Sequence, residues 1–355
     1  MRRGLMGWDE DELPLGVLDA RLRRLRGAMQ ANGLDGLILY TNLVRPSAVS
    51  YVTGFTPYWS EGILLVGRDG APAFATALSK RVANWIRTVT PVGEIVTNPQ
   101  PGAVVGQRIA AAAMRRVGVL ELDAFPSGPN DDLCGAAPGC EFVDATVMFA
   151  EFRRARDAAE LRLVGRADEI AVAALDEADG AGGDAGAIVG AVEKHARLAG
   201  AEEAYIAIAP ALASDTRMIR AAPGRALTDP FALRASIAYK GHWVRRTRTF
   251  VADAALRQRL GRADEWFARL IASLALGQPF DARIAESIAQ LSGAELVGWM
   301  AESCIGSYPL QVIADAQSPD GYVPNDGDFI VLSLALKLDG QAWLGAAPAM
   351  IGGTL

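Results

Sequence analysis

Residues 233–250 read Leu233-Arg234-Ala235-Ser236-Ile237-Ala238-Tyr239-Lys240-Gly241-His242-Trp243-Val244-Arg245-Arg246-Thr247-Arg248-Thr249-Phe250. They belong to a longer run, 203–252, whose β-branched and aromatic content reads mostly as strand. Arg234 and Arg245 sit on one hairpin of that run. Side chains alternate across a strand, so Trp243 and Arg245 share a face and His242 takes the other unless the strand bulges. The stretch is cationic in a chain whose formal net charge is −6.

That net charge makes bulk nucleic-acid binding a poor fit, while local basic clusters can still hold a small anion. A length of 355 residues, 51% hydrophobic and 21% charged, suits two well-packed domains. No apolar run approaches the roughly 18 uninterrupted residues of a membrane span, so no membrane partner is expected. The N-terminus turns acidic too early for a signal peptide. The three cysteines, Cys134, Cys140 and Cys304, match no zinc spacing, and an odd, low count suits a reducing cytoplasm.

Outward from the hairpin, the pattern alternates. Residues 18–32 carry apolar residues at helical intervals and Gly33 stops the helix. Strands are expected at 34–40, 62–67, 71–76 and 117–122, with a short strand and turn at 50–55; this is an α/β domain. Near Glu151–Arg154 a second domain begins, with Asp157 as a helix cap before a helix reaching about Ala178. Further helices are expected at 187–199, 256–274 and 280–291, and strands again over 310–351. The expected division is 1–152 and 153–355.

The hairpin resembles the first metal-binding hairpin of the creatinase, prolidase and aminopeptidase P family, in which two aspartates stand eleven residues apart before a Thr-Arg-Thr-Phe stretch. Tyr51-Val-Thr-Gly-Phe55 is similar to the family's N-terminal Tyr-Leu-Thr-Gly-Phe. Arg154 through Leu163 is similar to its interdomain entry helix. Pro324 through Ser333 is similar to its later strand bearing a glutamate. The resemblance implies an α/β N-terminal domain followed by an α+β pita-bread domain, in a homodimer. The family's metal enzymes use two Asp, one His and two Glu. In this register those positions fall on Arg234, Arg245, Ser303, Ser333 and near Gly345, which implies no metal and no other cofactor. A creatinase-like histidine is also missing from 211–222, so a creatine-like substrate does not fit.

Carboxylates hold cations, whereas guanidiniums repel them and fork onto carboxylate or phosphate. Arg234, Arg245, Arg248 and Arg217 are therefore candidate anchors for a small anion. Buried together, the arginines need negative charge; either internal acids such as Asp215 and Glu302 supply it, or a ligand does. His242 is the general acid/base candidate by type, with Glu302 and Tyr308 as further proton carriers. Ser303 and Ser333 are small groups in former ligand positions. Trp59, with Tyr58 and Arg45, lies where the family's N-terminal region reaches a partner's site. Two functions follow: a metal-independent enzyme cleaving a C–N or amide bond or eliminating, with a small anionic substrate, or a catalytically dead pseudo-peptidase that binds a ligand or a partner.

Overall fold

The computed structural model describes residues 8–56, 60–91, 93–180, 184–221, 223–274, 277–318 and 322–353. The chain divides into two units. The first comprises the residues up to Ala159 together with Cys304–Pro309, and the second Glu160–Ser303 with Leu310 onward.

The first unit runs α1 (Leu15–Ala31), β1 (Gly36–Thr41), α2 (Ser47–Thr53), β2 (Gly62–Gly67), β3 (Ala73–Thr76), α3 (Lys80–Val89), β4 (Glu94–Thr97), α4 (Pro101–Ala111), β5 (Arg116–Val119), α5 (Ser127–Ala136), β6 (Glu141–Asp144) and α6 (Thr146–Arg154). Its sheet has the order β4-β3-β2-β1-β5-β6. Every residue of β1 is buried, as befits a strand covered on both faces. Leu37 and Leu39 pack with α1, α2 and α6 on one side. Ile38 and Tyr40 pack with α4 and α5 on the other.

Helices α4 and α5 approach so closely that a Cβ at Gly102 would collide with the Pro129 carbonyl oxygen. Gly165, by contrast, has open space around its position on a helix. Alanine in place of a helical glycine gains up to about 1 kcal/mol, while overpacking costs about 1–3 kcal/mol. Gly102→Ala is therefore expected to lower the thermal midpoint and Gly165→Ala to raise it.

The second unit runs α7 (Ala158–Gly180), α8 (Ala185–Leu198), β7 (Glu203–Ala209), β8 (Phe231–Tyr239), β9 (His242–Phe250), α9 (Ala254–Ala272), α10 (Phe280–Ile288), β10 (Ala294–Ser303), β11 (Gln311–Asp315), β12 (Phe329–Leu338) and β13 (Gln341–Met350). The strands form one antiparallel sheet, β11-β10-β12-β13-β9-β8-β7. Two tight turns set its register. Lys240-Gly241 has φ of 49° and 78°, and Asp339-Gly340 has φ of 50° and 80°, the paired positive values of a two-residue hairpin loop. Tyr239 thereby pairs with His242, Ser236 with Arg245 and Arg234 with Thr247, with no bulge.

Apolar residues of one sheet face meet the helices. Leu233, Ala235, Ile237 and Val244 pack under α7 and α8. Leu332, Leu334, Leu336 and Trp343 pack under α9 and α10. Helix α9 presents Leu256, Leu260, Ala263, Trp266, Phe267 and Leu270 to this core, the spacing of an apolar stripe. Its start is capped by Asp253, which accepts from the Leu256 amide.

Two sequence expectations change. Residues 50–55 are not a strand: α2 is a fully buried helix that stops at Gly54 in the left-handed region. Packing overrides β propensity there, because Tyr51 lies between two guanidiniums, Arg153 at 3.6 Å and Arg21 at 4.1 Å from the ring centroid. Asp157 directly precedes α7, where a cap was expected, and it also accepts from Nε and Nη2 of Arg21, at 2.6 and 3.0 Å. The boundary between units falls after Ala159 rather than at 152/153, because Phe149 and Phe152 of α6 belong to the first unit's core.

Candidate functional site

Alternation along the β8–β9 hairpin assigns its polar residues to two faces. Arg234, Ser236, Arg245 and Thr247 share one face through their cross-strand pairs. Arg246 and Arg248 occupy the other, where they meet α7. Arg246 forks onto Asp168 with two 2.6 Å bonds, and Arg248 bonds Asp176 and Asp179 at 2.6 Å each. Arg248 is thus a tie between sheet and helix and does not reach the Arg234 face. His242 also falls on the α7 side of the register, and its Nδ1 lies 3.0 Å from the Lys240 carbonyl oxygen. The unbulged strand therefore keeps His242 apart from the arginine pair.

A pocket of about 850 Å³ opens on the Arg234 face, within the second unit. Arg234 and Thr247 contribute from the hairpin and Ser333 from β12; Asp215, Arg217 and Arg225 come from the segment before β8. Met218, Ala335 and Leu344 give it an apolar side.

The two central arginines have different environments. Arg245 is paired: its Nη1 donates to Glu302 and its Nε to Ser236 Oγ at 3.1 Å. The pair is well shielded, with Arg245 17% and Glu302 5% exposed. Arg234 makes no hydrogen bond or ion pair with any described residue. Burial lowers its pKa from the ordinary arginine value, and the like charge of Arg245 lowers it further, with Glu302 opposing. The Arg234 guanidinium stays protonated, so a partly buried positive charge faces the pocket.

Toward the rim, Arg217 binds Asp215 through Nε at 2.9 Å and Nη2 at 2.7 Å. The Arg217 side chain, then its backbone N–H, hold the Asp215 carboxyl down to about 2. Ser333 lies on the pocket wall. Ser303 does not; it is buried and donates to the Phe329 carbonyl oxygen at 2.6 Å. Tyr308 belongs to the first unit, where its hydroxyl accepts from Arg45 Nε at 2.9 Å. Trp59 and Tyr58 lie outside the described residues. Of the residues singled out in the sequence, the pocket wall thus gathers Arg234, Arg217, Asp215 and Ser333, with Arg245 and Glu302 paired on the same sheet face.

Arg225, Thr247 and the apolar side were not singled out. Thr247 was legible, since alternation pairs it with the face of Arg245. Arg225 and Met218 sit in an irregular segment with no periodicity to read.

The same geometry tests whether these residues suit the two metal ions of the resembling family. At the hairpin positions stand guanidiniums, which donate hydrogen bonds and offer no lone pair. Gly345 has no room for a side chain, because a Cβ there would collide with the Trp343 ring. Its neighbours on the pocket side, Leu344 and Ala346, offer no oxygen. Among the described residues, no group of three or more His, Cys, Asp or Glu could hold a metal ion. The donor set does not fit the metals.

On the helix side of the sheet, Asp264 accepts a 2.9 Å bond from Trp343 Nε1. Burial raises its pKa above the ordinary 3.8, while the indole bond opposes. A carboxyl whose folded pKa is raised holds its proton more tightly in the native state. Its contribution is most favourable below the unfolded value and declines as pH rises through the folded one. Asp264→Asn keeps an acceptor for the indole and removes the titration. It is expected to flatten the fall in stability above pH 4, measured by urea denaturation across pH.

Residues 21–155 match the family described as Creatinase/Prolidase N-terminal domain. No curated protein matches the chain in sequence. Among solved structures, the chain is similar to the prolidase from Pyrococcus horikoshii OT3, with TM-score 0.73, 15% identity and coverage of 94% of this chain and 96% of that one. It is similar to an Xaa-Pro dipeptidase from Bacillus anthracis, with TM-score 0.70, 17% identity and coverage of 94% and 95%. The X-Pro aminopeptidase from Thermotoga maritima MSB8 gives TM-score 0.70 at 14% identity, covering 92% and 95%. At such identities the likeness is one of fold. Residues 21–155 thus match the creatinase/prolidase N-terminal domain, and the chain as a whole has the pita-bread fold of the prolidases.

Proposed function

We propose that the second unit's pocket binds a small anion in the place where metallopeptidases of this fold bind metal ions, and that the protein acts by binding rather than by turnover. The observation that carries this reading is Arg234. A guanidinium partly withdrawn from water, without an acceptor among the described residues, beside a second guanidinium, calls for an anion. Placing a carboxylate or phosphate oxygen there supplies charge-assisted hydrogen bonds that the protein itself does not. Ser333 and Thr247 hydroxyls on the same wall are neutral donors for the remaining oxygens.

The non-catalytic reading is favoured over the metal-free enzyme because no poised proton carrier stands on the described wall. Asp215 is the one acid there, and Arg217 keeps it ionised. Glu302 is held by Arg245. A general base needs a free path to the reacting proton, and both carboxylates are engaged by guanidiniums.

A thermal-shift comparison tests the proposal. Acetate or inorganic phosphate is expected to raise the midpoint by several degrees, since a ligand at a hundred times its dissociation constant adds about 2.7 kcal/mol. Manganese, cobalt and zinc are expected to leave it unchanged. Stabilisation by the metals and none by the anions would overturn the reading.

A further inference from the structure

The geometry points to a narrower ligand class for this pocket: a carboxylate that carries an apolar body and no amine. This rests on the anion-binding reading above and adds a claim about what surrounds the bound charge. Three features converge. Arg234 supplies one guanidinium, unpaired among the described residues, on a β strand, a rigid support that suits a single planar carboxylate. Beside it, Met218, Ala335 and Leu344 continue an apolar cluster with Ala209, Leu212 and Ala232. That surface would be wasted on inorganic phosphate or acetate but buries hydrocarbon well. Finally, the described wall has three guanidiniums, Arg217, Arg225 and Arg234, against one carboxylate, Asp215, which is already bonded to Arg217. An ammonium group on the ligand finds no free acceptor of opposite charge there and meets like charges instead. Free amino acids and peptides with a free N-terminus are thereby disfavoured, and their deaminated or N-blocked counterparts are preferred.

Isothermal titration of the full chain with acetate, 4-methylpentanoate and leucine separates these claims. The last two share a branched hydrocarbon body and a carboxylate and differ by the amine. Each buried methylene contributes about 0.8 kcal/mol, which is about fourfold in affinity. 4-Methylpentanoate is therefore expected to bind at least tenfold more tightly than acetate, and at least tenfold more tightly than leucine. Met218→Ser is expected to shrink the first ratio, and Arg234→Met to remove binding of both carboxylates. Equal affinities for acetate and 4-methylpentanoate would overturn the apolar element and leave the anion pocket standing. Leucine binding as tightly as 4-methylpentanoate would overturn the exclusion of amines. Saturable binding of neither carboxylate would overturn the inference together with the reading it rests on.

Discussion

Glu302→Gln is expected to lower stability by about 3–5 kcal/mol, the usual loss when one member of a buried ion pair is removed. The change keeps the size of the side chain and deletes its charge. It leaves Arg245, 17% exposed, and Arg234 on the same face with no negative charge between them. A thermal midpoint shifts by roughly 2–4 °C per kcal/mol in a unit of this size, so a drop of roughly 6–20 °C is expected in the second unit's transition. The pair itself need not be a net stabiliser. Replacing both partners, as in Arg245→Met with Glu302→Leu, is expected to recover most of the loss, because no uncompensated charge remains. The single variant is also expected to gain more from added acetate than the parent does, since an anion then serves two guanidiniums. A midpoint for Glu302→Gln within about a degree of the parent would show that the ion pair is not buried in the way described.

The opposite sign is expected for Arg234→Met. This guanidinium has no described partner and is disfavoured by burial and by Arg245. Replacing it with an apolar chain of similar length is expected to stabilise the ligand-free protein by about 1–2 kcal/mol, at the low end of what replacement of buried charge by apolar groups yields. The stabilisation by anion, about 2.7 kcal/mol at a hundred times the dissociation constant, is expected to vanish. A variant more stable without ligand and indifferent to it is the signature of a residue kept for binding. Arg234→Met that is less stable and still protected by acetate would remove Arg234 from the site.

Much of the fold was legible before any coordinates. The apolar period of α9 and the continuous apolar run of β1 follow from residue spacing. The Arg234–Arg245 hairpin was legible too, through its resemblance to a metal-binding one. Segments 50–55 misled, because β-branched Val52 and Thr53 favour strand locally, whereas burial of the whole segment between helices and arginines favours helix. No window of neighbouring residues contains that information.

The site divides in the same way. The sequence by itself determined the residue types: arginines at 234 and 245, and serines at 303 and 333. Alternation set His242 and Arg245 on opposite faces unless the strand bulged, and the unbulged register of the hairpin decided that they point apart. Only the tertiary structure decided which arginine is free. Arg245, Arg246 and Arg248 each meet acids that lie 57 to 78 residues away in the chain, whereas Arg234 meets none among the described residues. Ion pairing depends on approach within a few ångströms, and that approach is set by how strands register and where α7 and β10 pack, not by composition. Four similar guanidiniums on one hairpin thus became three structural ties and one charge that faces a pocket with no partner among the described residues.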